Sequence, residues 1–196
     1  MNLPNKITLA RIFLIPAFIV LFYLEETLNG YNYLVAGIVF SVAAATDFVD
    51  GHIARKRGLV TNLGKFLDPI ADKVLVSTAF ILLLTRPMAF EVVGEWGIPV
   101  AGVLVALILA RELIVSGFRM IAAGQNIVLA ADNIGKIKAW MQDVAVAALV
   151  IATSFLGTEF GTVAVYIGLV SFVICAILTV WSGIHYIVKN RAVLKS

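Results

Sequence analysis

Six long apolar runs, separated by short polar breaks, constrain this chain more than any other feature of its sequence. They cover roughly residues 4–25, 31–55, 66–86, 97–122, 135–156 and 162–188. A bilayer core is about 30 Å thick, and a helix needs about 20 apolar residues to cross it. Because each run has about that length, the sequence predicts an all-α integral membrane protein. Its six transmembrane helices would form a single domain over residues 1–196.

The composition agrees with that prediction. Hydrophobic residues make up 61% of the chain and charged residues 14%, whereas an ordinary soluble domain carries roughly 25% charged residues. A soluble domain is therefore excluded, and no nucleic-acid partner is expected. The only cysteine, Cys175, cannot form a disulfide within the chain and is expected to be a buried apolar residue.

The basic residues fall almost entirely on one side of the predicted bundle. With six spans, fourteen of the 15 lysines and arginines lie on the side of the two termini, and only Arg86 lies on the other side. Membrane proteins carry their excess of lysine and arginine on the cytoplasmic side. The sequence therefore predicts a multi-pass protein of the cell (cytoplasmic) membrane with both termini in the cytoplasm.

Four aspartates lie at the cytoplasmic ends of the second and third runs, in the segment DFVDGHIARKRGLVTNLGKFLDPIAD over residues 47–72. Asp47 and Asp50 are three residues apart, and Asp68 and Asp72 are four apart, so each pair shares one face of its helix. The short connection predicts antiparallel neighbouring helices that bring the four carboxylates together. Four carboxylates at close range need positive charge among them, and their hard oxygen ligands favour two divalent ions, Mg²⁺ or Mn²⁺.

The residues alone leave further roles open for these aspartates. The carboxylates could be solvated at the membrane surface or paired with Arg55, Lys65 and Lys73. A divalent ion transporter would hold its aspartates near the membrane midplane, whereas these lie at helix ends. An intramembrane prenyltransferase also uses aspartates with magnesium, but such enzymes generally have more helices than 196 residues provide.

Small residues share helix faces with the aspartates, namely Gly51, Ala54 and Gly64. They would allow close packing of helices, or they would leave room for a flat group such as a nucleobase to approach the backbone. Metal ions beside such a surface would suit a bound diphosphate. On the residues alone, both roles remain possible.

The complete spacing D-x2-D-G-x2-A-R-x8-G-x3-D-x3-D, from Asp47 to Asp72, resembles the signature of the CDP-alcohol phosphotransferase family. The chain length and the six predicted helices agree with that family over the whole sequence. Its members transfer a phosphatidyl-type group from a CDP-linked donor to an alcohol and release CMP. The resemblance implies CDP-diacylglycerol as donor, surrounding membrane lipids, an active site that faces the cytoplasm, and a homodimer.

The resemblance also implies a role for each motif residue. The four aspartates would hold two divalent ions on the donor diphosphate, and Asp72 would also be the general base that takes the proton of the acceptor hydroxyl. The CDP-binding residues would be Asn5, Asp50, Gly51, Ala54, Arg55 and Gly64.

A second group of cations suggests the acceptor. Arg111 and Arg119 lie in ARELIVSGFRMIAAGQ, and Lys136 and Lys138 lie in NIGKIKAWMQ. Arginine binds phosphate through two parallel hydrogen bonds and lysine binds it as a point charge. The sequence therefore favours an acceptor that carries its own phosphate. Glu112, beside the first arginine, is interpreted as the partner of a nearby arginine.

The same stretches, together with the opening LPNKITLAR, resemble the phosphatidylglycerophosphate synthase branch of the family. That resemblance implies glycerol 3-phosphate as acceptor and adds Thr8 and Arg11 to the acceptor-phosphate site. Ala139 stands where that branch usually has threonine, so one polar contact is in doubt. Inositol phosphate, serine and phosphatidylglycerol are the alternative acceptors. Tyr186, near the end of the last run, is interpreted as an interfacial residue.

Overall fold

The computed structural model of the protein describes residues 3–25, 27–57, 62–125 and 133–191. Within these ranges, the side chains of residues 3–5, 47–57, 62–66, 68, 69, 123 and 133 are not described. Within the described ranges, the regular secondary structure is helical. The elements are α1 (Leu3–Tyr23), α2 (Asn32–Arg57), α3 (Asn62–Thr85), α4 (Met88–Glu91), α5 (Gly97–Gly124), α6 (Asn133–Thr153) and α7 (Glu159–Lys189).

The six long helices confirm the helical prediction for the six apolar runs. The largest difference in their bounds is at α3, which begins at Asn62 and not at residue 66. The sequence does not predict the short helix α4, because a single turn of four residues carries no periodic pattern. Its Phe90 is 1% exposed and packs on Phe172 of α7, with 5.7 Å between the ring centroids.

Several of these helices are long and apolar enough for a membrane. By length and composition, three stretches of the described chain can span a bilayer: Lys6–Tyr23, Gly97–Ala122 and Glu159–Lys189. Asn32–Thr46 forms a shorter apolar helix. The structure therefore supports a helical membrane protein, and the predicted count of six spans stays a prediction.

Aromatic side chains form much of the buried core. Phe18 of α1 lies 6.0 Å from Phe22 and 5.9 Å from Phe40 of α2, measured between ring centroids. On the other side of the bundle, Phe80 of α3 lies 5.3 Å from Phe172 of α7. Edge-on and tilted contacts at these distances stabilise aromatic pairs beyond the burial of their surface.

Glycines allow two pairs of helices to approach closely. A Cβ atom on Gly168 of α7 would lie 2.7 Å from Cγ of Leu149 on α6. A Cβ atom on Gly37 of α2 would lie 2.4 Å from Cγ1 of Ile151, also on α6. Small residues at helix interfaces are typical of membrane proteins, where close van der Waals packing drives helix association.

Hydrogen bonds show which helix ends lie together. At one end of the bundle, the hydroxyls of Tyr23 of α1 and Thr85 of α3 are 2.6 Å apart. At the same end, Ser154 after α6 accepts a hydrogen bond from the backbone N–H of Leu34 in α2, at 2.9 Å. The opposite end therefore holds the first turns of α3 and α6 and the last turns of α5 and α7, where the candidate site lies.

Candidate active site

A cavity of about 280 Å³ opens between α3, α5, α6 and α7. We call it the polar cavity. Its described wall consists of Asp72, Lys73, Val76, Ser77, Arg111, Glu112, Arg119, Gly135, Lys136, Lys138, Ala139, Gln142, Asp143, Ser182 and Tyr186. Five of these side chains are cationic and three are carboxylates, so this wall favours an anionic ligand.

The helix α3 places one motif aspartate on the cavity wall. Asp72 is half-buried there, and the next residue, Lys73, donates a hydrogen bond to the hydroxyl of Ser116 on α5. Ser116 in turn donates to the backbone carbonyl of Glu112, at 2.6 Å. This chain of contacts ties the aspartate-bearing helix to the helix that carries the two arginines.

Arg111 projects from α5 toward α7. Its Nη2 donates a hydrogen bond to Oγ of Ser182 at 2.8 Å. Its Nε is buried and has no hydrogen-bond partner within the described part of the chain. A Cβ atom on Gly183 would lie 2.8 Å from Cγ of Arg111, so the glycine leaves space for the arginine stem. A buried donor without a partner is costly.

Glu112 links the cations of two helices. Lys138 of α6 donates a hydrogen bond to Oε1 of Glu112, and Nη1 of Arg111 lies 4.0 Å from the same oxygen. The side chain of Lys138 is 6% exposed and that of Glu112 is 16% exposed. A buried lysine needs such a partner, and this pair fixes the position of α6 relative to α5. The sequence predicts an arginine as the partner of Glu112, and its ion pairs include both Arg111 and Lys138.

Arg119 lies about two turns further along α5 and packs on α7. Its Nε donates a hydrogen bond to the hydroxyl of Tyr186 at 3.1 Å. Its guanidinium carbon is 5.1 Å from the centroid of the same ring, within the range of a cation–π interaction. The tyrosine therefore orients the arginine at the cavity wall. The interpretation of Tyr186 as an interfacial residue is wrong, because it is 5% exposed and lines the cavity.

The structure brings together five of the residues that the sequence predicts for catalysis and acceptor binding. Asp72, Arg111, Arg119, Lys136 and Lys138 come from three different helices and line the same cavity. The three helices are far apart in sequence, so it is the folding of the chain that brings these five side chains to one cavity.

Two other predicted acceptor residues are not part of the described cavity wall. Thr8 and Arg11 are 0% and 1% exposed, and neither is part of the described wall of the polar cavity. Arg11 donates a hydrogen bond from Nε to the backbone carbonyl of Ala43 on α2, at 3.2 Å. This side chain is directed into the contact between α1 and α2, and the described wall gives no support to its predicted role in phosphate binding.

The remaining predicted site residues lie outside the described side chains. They are Asn5, Asp47, Asp50, Gly51, Ala54, Arg55, Gly64 and Asp68. Among the side chains that are described, no three acidic, histidine or cysteine groups converge as a metal site. The predicted metal set has only Asp72 in the described part, and the chemistry of that set, four carboxylates, fits hard divalent ions.

Sequence reasoning misses several polar residues of the wall, among them Ser77, Gln142 and Ser182. One signal could have identified Gln142. It follows Lys138 by four residues and therefore lies on the same face of α6. Nothing in the sequence indicates Ser77 or Ser182, because single serines occur on many apolar helices.

Comparison with known proteins shows what this chain is similar to over nearly its whole length. The model of the CDP-alcohol phosphatidyltransferase family matches residues 1–183. A Bacillus subtilis (strain 168) protein named CDP-diacylglycerol–glycerol-3-phosphate 3-phosphatidyltransferase is 40% identical over 208 residues, covering 100% of this chain and 98% of that relative. Proteins of the same name from Shigella flexneri serotype 5b (strain 8401) and Escherichia coli (strain K12) are 37% identical over 193 residues, covering 97% of this chain and 96% of each relative.

Proposed function

The chain belongs to the CDP-alcohol phosphatidyltransferase family, and from that premise we propose that it is a phosphatidyltransferase of phospholipid biosynthesis. It transfers the phosphatidyl group of CDP-diacylglycerol to glycerol 3-phosphate and yields phosphatidylglycerophosphate and CMP. One observation supports this acceptor most directly: Asp72 shares the polar cavity with Arg111, Arg119, Lys136 and Lys138. A carboxylate base beside four cations suits an acceptor that has a hydroxyl at one end and a phosphate at the other.

The four cations bind the phosphate of the acceptor. Arg111 has a buried Nε without a partner in the described chain, and Arg119 is oriented by Tyr186. Guanidinium groups bind phosphate oxygens through paired, charge-assisted hydrogen bonds, which fixes the direction of the ligand. Lys136 and Lys138 add positive charge from α6. Glu112 offsets part of this charge when the cavity is empty, because it pairs with Lys138.

With the phosphate held, the terminal hydroxyl of glycerol 3-phosphate reaches Asp72. The carboxylate of Asp72 takes the hydroxyl proton, and the oxygen attacks the phosphorus of the donor that carries the diacylglycerol. A new P–O bond forms to the acceptor, and the P–O bond to CMP breaks. A positioned general base of this kind typically contributes about 10²–10⁴-fold to the rate.

The donor side of the reaction depends on the aspartate segment. Asp47, Asp50, Asp68 and Asp72 would hold two divalent ions, Mg²⁺ or Mn²⁺, which would supply positive charge to the donor diphosphate and the leaving CMP. The donor's CDP group would be bound by Asn5, Asp50, Gly51, Ala54, Arg55 and Gly64. The family assignment and the complete aspartate spacing support these roles.

We extend the proposal to the membrane arrangement. The six long helices each cross the membrane, both termini and the polar cavity face the cytoplasm, and the protein forms a homodimer. The distribution of lysine and arginine supports the orientation, and the three long apolar helices support membrane insertion. The cytoplasmic side is also where water-soluble glycerol 3-phosphate and CMP would enter and leave.

The test is release of CMP by the purified protein in detergent with CDP-diacylglycerol and Mg²⁺. Parallel reactions contain glycerol 3-phosphate, inositol phosphate, inositol, serine or phosphatidylglycerol. We expect CMP only with glycerol 3-phosphate, and we expect EDTA to stop its release and added Mg²⁺ or Mn²⁺ to restore it. Release with another acceptor alone would overturn the acceptor assignment. Full activity in EDTA would overturn the metal assignment.

A further inference from the structure

Gln142 lies on the wall of the polar cavity, and within the described part of the chain its amide has no hydrogen-bond partner. The residue is 6% exposed and lines the cavity wall. Within the described part of the chain, its side chain makes no hydrogen bond. An amide carries two donors and one acceptor, and those of Gln142 are available to a ligand in the cavity. The position is therefore suited to a polar group supplied by a ligand.

The position of Gln142 along α6 indicates which part of a ligand it meets. It lies one turn beyond Lys138, about 6 Å further along the axis at about 1.5 Å per residue. Lys138 and Gln142 share a helix face, so cation and amide follow one another along the same wall. On the facing helix α3, Asp72 and Ser77 line the same cavity. On α6, the cation and the neutral amide thus occupy successive turns of the cavity wall.

Resting on the proposed function, we propose that Gln142 hydrogen-bonds the secondary hydroxyl, on C2, of glycerol 3-phosphate and makes the enzyme specific for a glycerol acceptor. With the phosphate on the cations and the terminal hydroxyl at Asp72, the C2 hydroxyl is the one polar group of the acceptor that remains to be bound. A hydroxyl both donates and accepts hydrogen bonds, as the amide does.

Two neighbouring polar groups of the wall are already engaged. Ser182 accepts a hydrogen bond from Arg111 and donates one to the carbonyl of Thr179. The side chain of Asp143 is not free, because it already takes part in another interaction. A carboxylate would also repel the acceptor phosphate, whereas a neutral amide would not. Gln142 is therefore the group on α6 that is best placed to distinguish acceptors by their hydroxyls.

The experiment compares two acceptors in two proteins. The acceptors are glycerol 3-phosphate and 3-hydroxypropyl phosphate, which lacks only the C2 hydroxyl. We expect the unmodified enzyme to prefer glycerol 3-phosphate by roughly tenfold to hundredfold in kcat/KM, because the analogue leaves the buried amide unsatisfied. In Gln142→Met, which keeps a similar shape without the amide, we expect this preference to fall below about threefold. Activity with 3-hydroxypropyl phosphate should change little.

The matched control is Gln125→Met, the same substitution at the only other glutamine of the chain, which is not part of the described cavity wall. It should keep the preference of the unmodified enzyme. If Gln142→Met also keeps that preference, or loses activity equally with both acceptors, the proposal is wrong and the residue has a packing role. If the unmodified enzyme uses neither acceptor, the proposed function fails, and that outcome is distinct from a failure at Gln142.

Discussion

Two cavities that share the long helices α5 and α7 in their walls differ in almost every chemical respect. The last turns of α5 and α7 line the polar cavity with Arg111, Arg119 and Tyr186. Nearer their first turns, the same helices line a second space of about 460 Å³, which we call the apolar groove. Its described wall consists of Phe90, Val93, Trp96, Gly97, Val100, Ala101, Leu104, Tyr166, Leu169, Val170, Phe172, Val173 and Ile174. Helix packing creates both spaces, so the side chains at each level determine what each can bind.

The difference follows from the cost of charge in a membrane. An ionisable group within a membrane protein is costly unless it has a partner or faces a water-filled cavity. At the polar cavity, Lys138 has Glu112, Arg111 has Ser182, and Arg119 has Tyr186. No charged residue lines the described wall of the apolar groove. The partnered charges at the polar cavity, and the absence of charge from the described wall of the groove, support the proposal that the chemistry takes place at the polar cavity.

Removing the proposed base should have the largest effect and would test whether the polar cavity is the catalytic one. We expect Asp72→Asn to lower kcat for CMP release by about 10²–10⁴-fold, because an amide cannot take the hydroxyl proton. The thermal unfolding temperature of the detergent-purified protein should stay close to that of the unmodified protein. CMP release and unfolding are measured on the same preparation.

Asp143→Asn is the matched variant, because it makes the same change to another carboxylate of the same wall. Asp143 lies outside the aspartate segment, and we expect a much smaller loss of kcat. A loss at Asp143 as large as that at Asp72, or a nearly active Asp72→Asn, would remove the assignment of the base.

Two arginines, each packed on a tyrosine, allow a test of acceptor binding at the polar cavity. The guanidinium carbon of Arg119 lies 5.1 Å from the ring of Tyr186 at the polar cavity. That of Arg86 lies 5.9 Å from the ring of Tyr23, beyond the end of α3. We expect Arg119→Ala to raise the KM for glycerol 3-phosphate by about 10–100-fold, since a charge-assisted hydrogen bond to phosphate is lost. Arg86→Ala should leave that KM unchanged.

The readout is the KM for each substrate, determined separately. The KM for CDP-diacylglycerol should change little in Arg119→Ala, because the role proposed for this arginine is in binding the acceptor. An equal rise for both substrates would show that Arg119 supports the site as a whole and would contradict the acceptor-phosphate assignment.

The sequence alone predicts much of this arrangement. Lengths of apolar runs predict the long helices, because each transmembrane helix must satisfy its own backbone hydrogen bonds and needs a set number of residues. The sequence also identifies the cations of the polar cavity, because Arg111 interrupts an apolar run and lysines at 136 and 138 open the next helix. Charged residues are rare in such runs, so each of them carries information.

What the sequence does not predict depends on contacts between helices. Helical spacing shows which residues share a face, but it does not show which neighbouring helix that face meets. The sequence places Arg11 in the acceptor site, but it does not show that its Nε donates a hydrogen bond to Ala43 in α2. Tyrosine is common at the membrane–water interface, so the sequence suggests that position for Tyr186. Only the packing of α5 on α7 shows that it is buried beside Arg119.

The smallest expected effect is in the apolar groove. Val100 lies on the groove wall and is 49% exposed, so Val100→Trp adds volume into open space. We expect kcat/KM for glycerol 3-phosphate to stay within about threefold, because Val100 is not part of the described wall of the polar cavity. The protein should also stay folded, since exposed substitutions usually change the free energy of unfolding by only about 0.5 kcal/mol. The matched variant is Ala139→Trp, which adds a large side chain to the polar cavity.

That second variant should lower kcat/KM for glycerol 3-phosphate by at least about tenfold, because the ring occupies space that the acceptor needs beside Lys138. CMP release under identical lipid conditions measures both variants. If Val100→Trp impaired turnover as strongly as Ala139→Trp, the groove would have to take part in the reaction, most simply by binding the acyl chains of the donor. The division between a catalytic cavity and an inert groove would then be wrong, while the assignment of the polar cavity would remain.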